Sequence, residues 1–459
     1  MVRSAPGQAF ATLSVPRSKR PVDKHLAAVS GFCLVAALTT LSLTVMAYPL
    51  DGYDYTGIRR LDFYQRAQLG EVRGRRLPSG GLLAMAQVTP RLPSAPPLPL
   101  PEPDIAKSRQ LADLLADLLG NNADRYSVAL LDLSDPDRPI YAVHNPNVVA
   151  NVGSVGKLLV ALSLFQKLAV LYPDDLAARE RVLRSTQVVA DRFIIRDHHK
   201  VPLWDMDSGR LQHRALQLGD KGTLWEFIDW MMSASSNAAA AMVMKELMLI
   251  NYFGHDYPVS REAAEDFFSS HSKRELGEQL QRVMLMPIQN NGLDPKHLRQ
   301  GSFFTREGKR RVDGSQSFAT PQQLVTLLYR LERGQLVDAF SSREMKRLLY
   351  MTQKRIRYAS HPGMHGDAIY FKSGSLYRCR PEPGFVCGKY QGNVENRLAS
   401  VAIVESPSER PRHHYLVTVL SNVLRKNSAV AHQTLAIRIH RLVQSWHRQT
   451  ERSAPKGAS

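Results

Sequence analysis

Residues 151–170 read NVGSVGKLLVALSLFQKLAV, with one serine, Ser154, and one lysine, Lys157, at the head of an otherwise apolar run. Positions three apart on a helix share a face, so the two side chains meet if the run is helical. Leu158, Leu159, Val160, Ala161, Leu162, Leu164, Phe165, Leu168, Ala169 and Val170 cover nearly every side of it, which marks a helix buried on most of its surface. A lysine facing that interior has to be paired or deprotonated. A serine one turn before it then has a proton acceptor at hand, which is how a weak nucleophile is activated. Ser-x-x-Lys specifies only two residues, however, and it recurs at Ser270 and Lys273 in the polar run SSHSKRE, where a helix cap and a solvated lysine explain it. The meaning of the first match depends on partners elsewhere in the chain.

The formal charge of +18 is spread unevenly. Residues 1–103 carry twelve basic against six acidic residues and residues 438–459 five against one, which leaves +8 for the rest. With no Cys/His metal spacing, aromatic RNA-binding signature or basic helix, the sequence gives no reading as a nucleic-acid binder and implies no metal or cofactor. What the charge supports is a modest attraction to anionic lipid headgroups or cell-wall polymer.

Residues 26–50 contain no charged side chain and follow Arg17, Lys19, Arg20 and Lys24. About 20 such residues span a bilayer, and the basic flank assigns residues 1–25 to the cytoplasm and everything after residue 50 to the outside. Val45-Met46-Ala47 is also an acceptable signal-peptidase site. Residues 26–47 are therefore expected to be a transmembrane anchor or a signal peptide. Either exports the chain, to the periplasmic face of the bacterial inner membrane or to the periplasm. Residues 48–88 show no sustained period, and 89–103 (TPRLPSAPPLPLPEP) form a proline-rich spacer, so 48–103 are expected to be a linker with a stalk. Cys379 and Cys387 enclose RPEPGFV, and an oxidising compartment would join them as a disulfide.

The body is expected to span 104–448, ahead of a disordered basic tail at 449–459. Ile105, Leu111, Leu114, Leu115, Leu118 and Leu119 mark an amphipathic helix before Gly120, and 126–133 and 140–143 read as a strand pair ahead of the Ser154 helix. A long helical region follows, interrupted at Ser235-Ser236-Asn237, since polar residues favour caps and turns. Thr320-Pro321 opens another helix as N-cap and first helical residue. Residues 368–376 are strand-like but broken by Lys372-Ser373-Gly374, and 398–404, 415–420 and a closing helix at 428–446 complete the pattern. Strands at both ends with helices between them predict an α+β fold: an antiparallel sheet flanked by a terminal helix pair, plus an all-helical lobe.

Ser154-x-x-Lys157, Ser235-x-Asn237 and Lys372-Ser373-Gly374 stand in the order used by the penicillin-recognising serine enzymes, and from about 104 to 448 the sequence resembles that superfamily. The run ATPQQLVTLLYRLERGQLVD, 319–338, looks particularly like the class A β-lactamase branch. The resemblance implies that Ser154 attacks an amide or lactam carbonyl with Lys157 accepting its proton. It further implies that Ser235 relays a proton to the departing nitrogen and that Asn237 holds the substrate's amide side chain. Lys372 and Ser373 would bind the carboxylate that β-lactams and D-alanyl peptides share. Serine replaces the family's usual threonine there, keeping the hydroxyl. Gly374 lets substrate lie against the strand, and the backbone N–H groups of Ser154 and Ser375 are the implied oxyanion hole.

The class A branch hydrolyses its acyl-enzyme with a glutamate in a Glu-x-x-Leu-Asn loop, and this chain has no such loop. Its counterpart is expected in 290–314, where Asp294, Glu307 and Asp313 are the carboxylates and Glu307 is the candidate base, against an ordinary ion pair with Arg306, Lys309, Arg310 or Arg311. Three readings compete: a class A-type serine hydrolase that turns over β-lactams; a cell-wall D,D-peptidase; and an anchored, non-catalytic peptidoglycan-binding protein.

Overall fold

Neighbouring residues of the longest strands point to opposite faces, and both faces are apolar, so the sheet they form has to be covered on each side. In the computed structural model, which describes residues 49–92, 100, 102, 105–352 and 355–453, that is what happens. Strands lie at Tyr126–Asp132 (β1), Ile140–His144 (β2), Gln187–Val189 (β3), Val201–Asp205 (β4), Arg210–Arg214 (β5), Lys221–Thr223 (β6), Leu298–Arg299 (β7), Phe318–Ala319 (β8), Ala368–Arg378 (β9), Glu395–Ser406 (β10) and His413–Asn422 (β11). Helices lie at Gly52–Thr56 (α1), Arg59–Leu69 (α2), Ala106–Leu119 (α3), Lys157–Leu171 (α4), Leu176–Ser185 (α5), Leu224–Met232 (α6), Asn237–Phe253 (α7), Arg261–Ser270 (α8), Lys273–Asn290 (α9), Arg306–Arg311 (α10), Pro321–Glu332 (α11), Ala339–Tyr350 (α12) and Ser428–Ser453 (α13).

The main sheet is antiparallel in the order β2-β1-β11-β10-β9. Val128, Leu130, Val404 and Val417 face one way, against Leu111 and Leu115 of α3 and Leu435, Ile439 and Trp446 of α13. Ala129, Leu131, Ile403 and Leu416 face the other way, into the large core built by α4, α6, α7, α9, α11 and α12. The expected architecture is therefore present, with one difference: the helical lobe also carries the two-stranded sheets β3-β6 and β4-β5. The second pair is a hairpin in which Trp204 pairs with Leu211 around the exposed turn at 206–209. Thr320 caps α11 as expected, its side chain accepting from Gln323 N with Pro321 in first place. Ser270 and Lys273 end one helix and begin the next, Lys273 meeting Asp313 at 2.6 Å.

The expectation that 48–103 is a linker has to be corrected. Residues 49–92 form α1, α2 and two short turns that pack into the body, with Ile58, Leu61 and Val88 buried in the large core. Arg60 donates Nε and Nη2 to the two carboxylate oxygens of Asp229 on α6, both at 2.6 Å, with neither side chain more than 1% exposed. Arg91 reaches Glu405 on β10 at 3.0 Å and its backbone N–H donates to Glu332. Charges and glycines hid this segment's role, because the charges are spent on buried partners far away in sequence. The tail also differs, since α13 continues to Ser453. The expected anchor at 26–47, most of the proline-rich run, at 93–99, and residues 454–459 lie outside the described residues.

Candidate active site

Three separate parts of the chain converge beside the end of the main sheet. Ser154 sits in a short 3₁₀ turn, Gly153–Gly156, that runs directly into α4, whose first residue is Lys157. That tighter winding brings positions three apart nearly into register. Ser235 lies in the turn between α6 and α7 with φ +59°, a left-handed conformation that residues other than glycine adopt at a cost and that tends to be kept where function needs it. The third part is β9. A Cβ on Gly374 would run into Val152 O and Ser154 N, so only glycine lets the strand approach this closely. The same approach brings Ser375 N beside Gly153, next to the backbone N–H of Ser154.

Lys157 is fully buried. Its Nζ lies 2.9 Å from Ser154 Oγ, 2.8 Å from the backbone oxygen of Ser235 and 2.7 Å from Asn237 Oδ1. Burial pushes its pKa down to about 7, opposed in part by the carboxylate of Asp197. A neutral amine has two N–H bonds and one lone pair. The Ser235 and Asn237 oxygens can only accept, so they take the two N–H bonds and leave the lone pair for the Ser154 hydroxyl. This is the arrangement a proton acceptor needs. Lys372 Nζ donates to Ser235 Oγ at 2.8 Å. Burial, with Lys157 and Arg357 nearby, moves Lys372 well below the ordinary lysine value. Ser235 thus joins the two lysines, one through its backbone oxygen and the other through its hydroxyl.

Several groups here were not visible in the sequence. Arg357, at φ +53°, donates to Ser373 Oγ at 2.7 Å, Ser375 Oγ at 3.2 Å and Tyr390 OH at 3.0 Å. Asp197 accepts from Ser236 Oγ at 2.9 Å and from Ala238 N at 2.8 Å, while His199 Nδ1 lies 2.6 Å from its other oxygen. Burial opposes ionisation of Asp197, but His199 and the backbone N–H of Ala238 outweigh it and hold the carboxyl below its usual range. Asp197 therefore fixes the start of α7, and with it the Ser235-x-Asn237 turn. The ring of Phe304 lies 4.6 Å from Lys157 Nζ. The only signals in sequence were an Asp-His-His triplet at 197–199 and a Phe pair at 303–304, neither of which has a helical or strand period.

A profile of the beta-lactamase enzyme family matches residues 109–427, well over half of the chain. The chain belongs to the beta-lactamase enzyme family. Among solved structures, this family member is similar to PBP-A, with 14% identity and a TM-score of 0.47 over 77% of this chain and 100% of that one. It is similar to a PBP-A variant solved as an acyl-enzyme with penicillin G (12%, 0.46, 74% and 97%). It is also similar to a beta-lactamase from Sphaerobacter thermophilus DSM 20745 (15%, 0.44, 72% and 94%). No curated protein matches it.

In this beta-lactamase family member, Ser154, Ser235, Asn237, Ser373, Gly374 and Ser375 line one cavity of about 670 Å³, with Lys157 and Lys372 buried behind them. Asn237 has a task beyond the one expected, since its Oδ1 anchors Lys157. Glu307 has to be corrected: it does not line the cavity. On α10 it is captured by Arg310 at 2.6 Å and Arg311 at 2.8 Å, three and four residues on, as helical spacing favours. The Arg310 hydrogen bond is the main reason its pKa falls to about 2. Asp294 turns to His297 and Asp313 to Lys273. No aspartate or glutamate among the described residues lines the cavity. Cys379 and Cys387 are joined, and the loop they clamp leads into Lys389 and Tyr390 on the cavity wall.

Proposed function

We propose that this chain is an exported serine acyl-transfer enzyme, acylated at Ser154 by β-lactams and D-alanyl peptides, and that it acts as a D,D-peptidase rather than as a β-lactamase. The observation that carries acylation is the setting of Lys157, whose lone pair faces the Ser154 hydroxyl when the amine is neutral. Ser154 Oγ attacks the carbonyl carbon as its proton passes to Lys157 Nζ. The oxyanion is held by the backbone N–H groups of Ser154 and Ser375, a contribution of about 3 kcal/mol per donor in other serine hydrolases. Because Lys372 donates to Ser235 Oγ, the Ser235 proton is free to point at the departing nitrogen and passes to it as the C–N bond breaks. Lys372, Ser373 and Arg357 take the carboxylate of the leaving portion, and an incoming carboxylate restores the proton that burial makes Lys372 hold weakly.

Phe304 supports the peptidase reading. Its ring, not a carboxylate, covers Lys157 on the side of the segment where a deacylating glutamate was expected. The uncharged stretch at 26–50 supports attachment to, or export across, a membrane, and peptidoglycan is the partner that follows.

Incubating the full chain with a labelled penicillin and following its mass tests this. A lasting adduct on Ser154 supports the peptidase. Rapid lactam hydrolysis without an adduct supports the β-lactamase instead. No adduct, with Ser154→Ala indistinguishable from the parent, removes both and leaves a binding protein.

A further inference from the structure

The cavity wall carries lysines for which the acylation chemistry has no use. Lys309 belongs to α10 and Lys389 to the connection between β9 and β10, and both line the cavity that holds Ser154. Both are exposed, and neither forms an ion pair with a carboxylate among the described residues. Glu307, on the same helix as Lys309, is taken by Arg310 and Arg311, so Lys309 keeps its charge uncompensated. Lys389 lies 5.2 Å from the centre of the Tyr390 ring, and Arg357 4.8 Å from the same ring. The connection that carries Lys389 is held in place: Cys379 and Cys387 close its loop, and Glu382 binds Arg425 at 2.9 Å and Asn393 at 2.7 Å. With no acid on the wall, a cleft lined by one sign of charge concentrates ligands of the opposite sign.

The carboxylate of the leaving portion is already provided for by Lys372, Ser373 and Arg357, whose hydrogen bonds tie them to one another and to Ser235. Lys309 and Lys389 approach from other elements. We propose that they are specificity-determining residues that bind a second anionic group of the substrate, on the acyl portion that stays attached to Ser154. The preferred substrate class is then a D-alanyl peptide, or a β-lactam, whose acyl side chain carries its own carboxylate. This rests on the acyl-enzyme reading above and adds the substrate's charge to it.

The test compares benzylpenicillin with carbenicillin, which has the same phenylacetyl side chain plus one carboxylate, as second-order rates of Ser154 acylation in the full chain. At low salt carbenicillin is expected to react about three- to tenfold faster, with the ratio falling towards one in 0.5 M salt. In the Lys309→Ala/Lys389→Ala double variant the ratio is expected to fall to about one at low salt too. A ratio at or below one in the parent, or a ratio that the double variant leaves unchanged, overturns the proposal. A second arm uses Ser154→Ala, which cannot be acylated, and measures calorimetrically the affinity for two tripeptides ending in D-alanyl-D-alanine, with glutamate or glutamine before it. Tighter binding of the glutamate peptide that depends on both lysines supports the proposal, and equal affinities overturn it. Failure of both penicillins to acylate Ser154 would count against the acyl-enzyme reading alone, because the peptide arm still decides on the lysines.

Discussion

Lys157 holds its proton only below about pH 7, because an ammonium ion deprived of water is costly and the nearest carboxylate, Asp197, offsets only part of that cost. The base is the neutral amine, so the rate of Ser154 acylation is expected to rise about tenfold per pH unit below that value and to level off above it. A pH series of adduct formation followed by mass reads this directly, and a flat profile through pH 5 to 8 would exclude Lys157 as the base. Asp197 acts on the same group from a distance. In Asp197→Asn the charge that favours the protonated lysine is gone, so the midpoint of the profile is expected to move to lower pH. The start of α7 also loses a charged acceptor for Ser236 Oγ and Ala238 N, at about 2 kcal/mol of stability. Denaturant melts and the pH series separate the two effects, since a purely structural role for Asp197 leaves the midpoint where it was.

The segments between elements, more than the elements themselves, decide what the site does after acylation. Residues 300–317 run past Lys157 and present Phe304, while α10 turns Glu307 outward to two arginines. Phe304→Glu brings a carboxylate to that place. An opposite charge next to the amine favours its protonated form, so the acylation midpoint is expected to move above pH 7. The carboxylate can also take a proton from water, and the penicillin adduct is expected to disappear at least tenfold faster. Time-resolved mass spectrometry gives both quantities, and an adduct of unchanged lifetime argues that Phe304 does not occupy the place of a deacylating base. Sequence reading located this segment but chose the wrong residue in it. Glu307 is the right type of side chain on a helix that faces its neighbours at three and four residues, and nothing in a linear string says which way a six-residue helix is turned.

Across the molecule, the catalytic body begins well before residue 104. Arg60 and Asp229 form a two-point ion pair with almost no exposure, and Arg91 joins a buried cluster in which Lys346 meets Glu332 at 2.7 Å and Glu405 at 2.6 Å. Burial pulls the Glu332 pKa up, but Lys346 and His414 outweigh this and leave it at about 2. Removing one partner of such a pair leaves the other buried and uncompensated, so Arg60→Ala is expected to lower stability by about 3–5 kcal/mol. A chain starting at residue 104 loses the whole strap and exposes the core around Trp225, which lies beside Thr56. Urea melts of the point variant and solubility of the shortened chain check this, and a shortened chain as stable as the parent would show that the strap is dispensable.

The apolar period of 157–171, the alternation of the sheet strands and the Thr320-Pro321 cap are local patterns, and the sequence by itself determined the α+β layering and the identities of Ser154, Lys157, Ser235, Asn237 and Lys372. These could be read because each depends on neighbours two to four residues away, the range over which backbone geometry repeats. Tertiary structure alone decided the rest. It brought Asp197, Arg357 and Phe304 to the site, seated the 49–92 segment against α6 and β10, and turned Glu307 away from the cavity. Each of these is a contact between residues distant in the chain, or a helix orientation set by packing. Neither leaves a period behind. The stretch at 151–170 thus states how Ser154 becomes a nucleophile, while the walls folded around it decide what the nucleophile is offered and how long it keeps it.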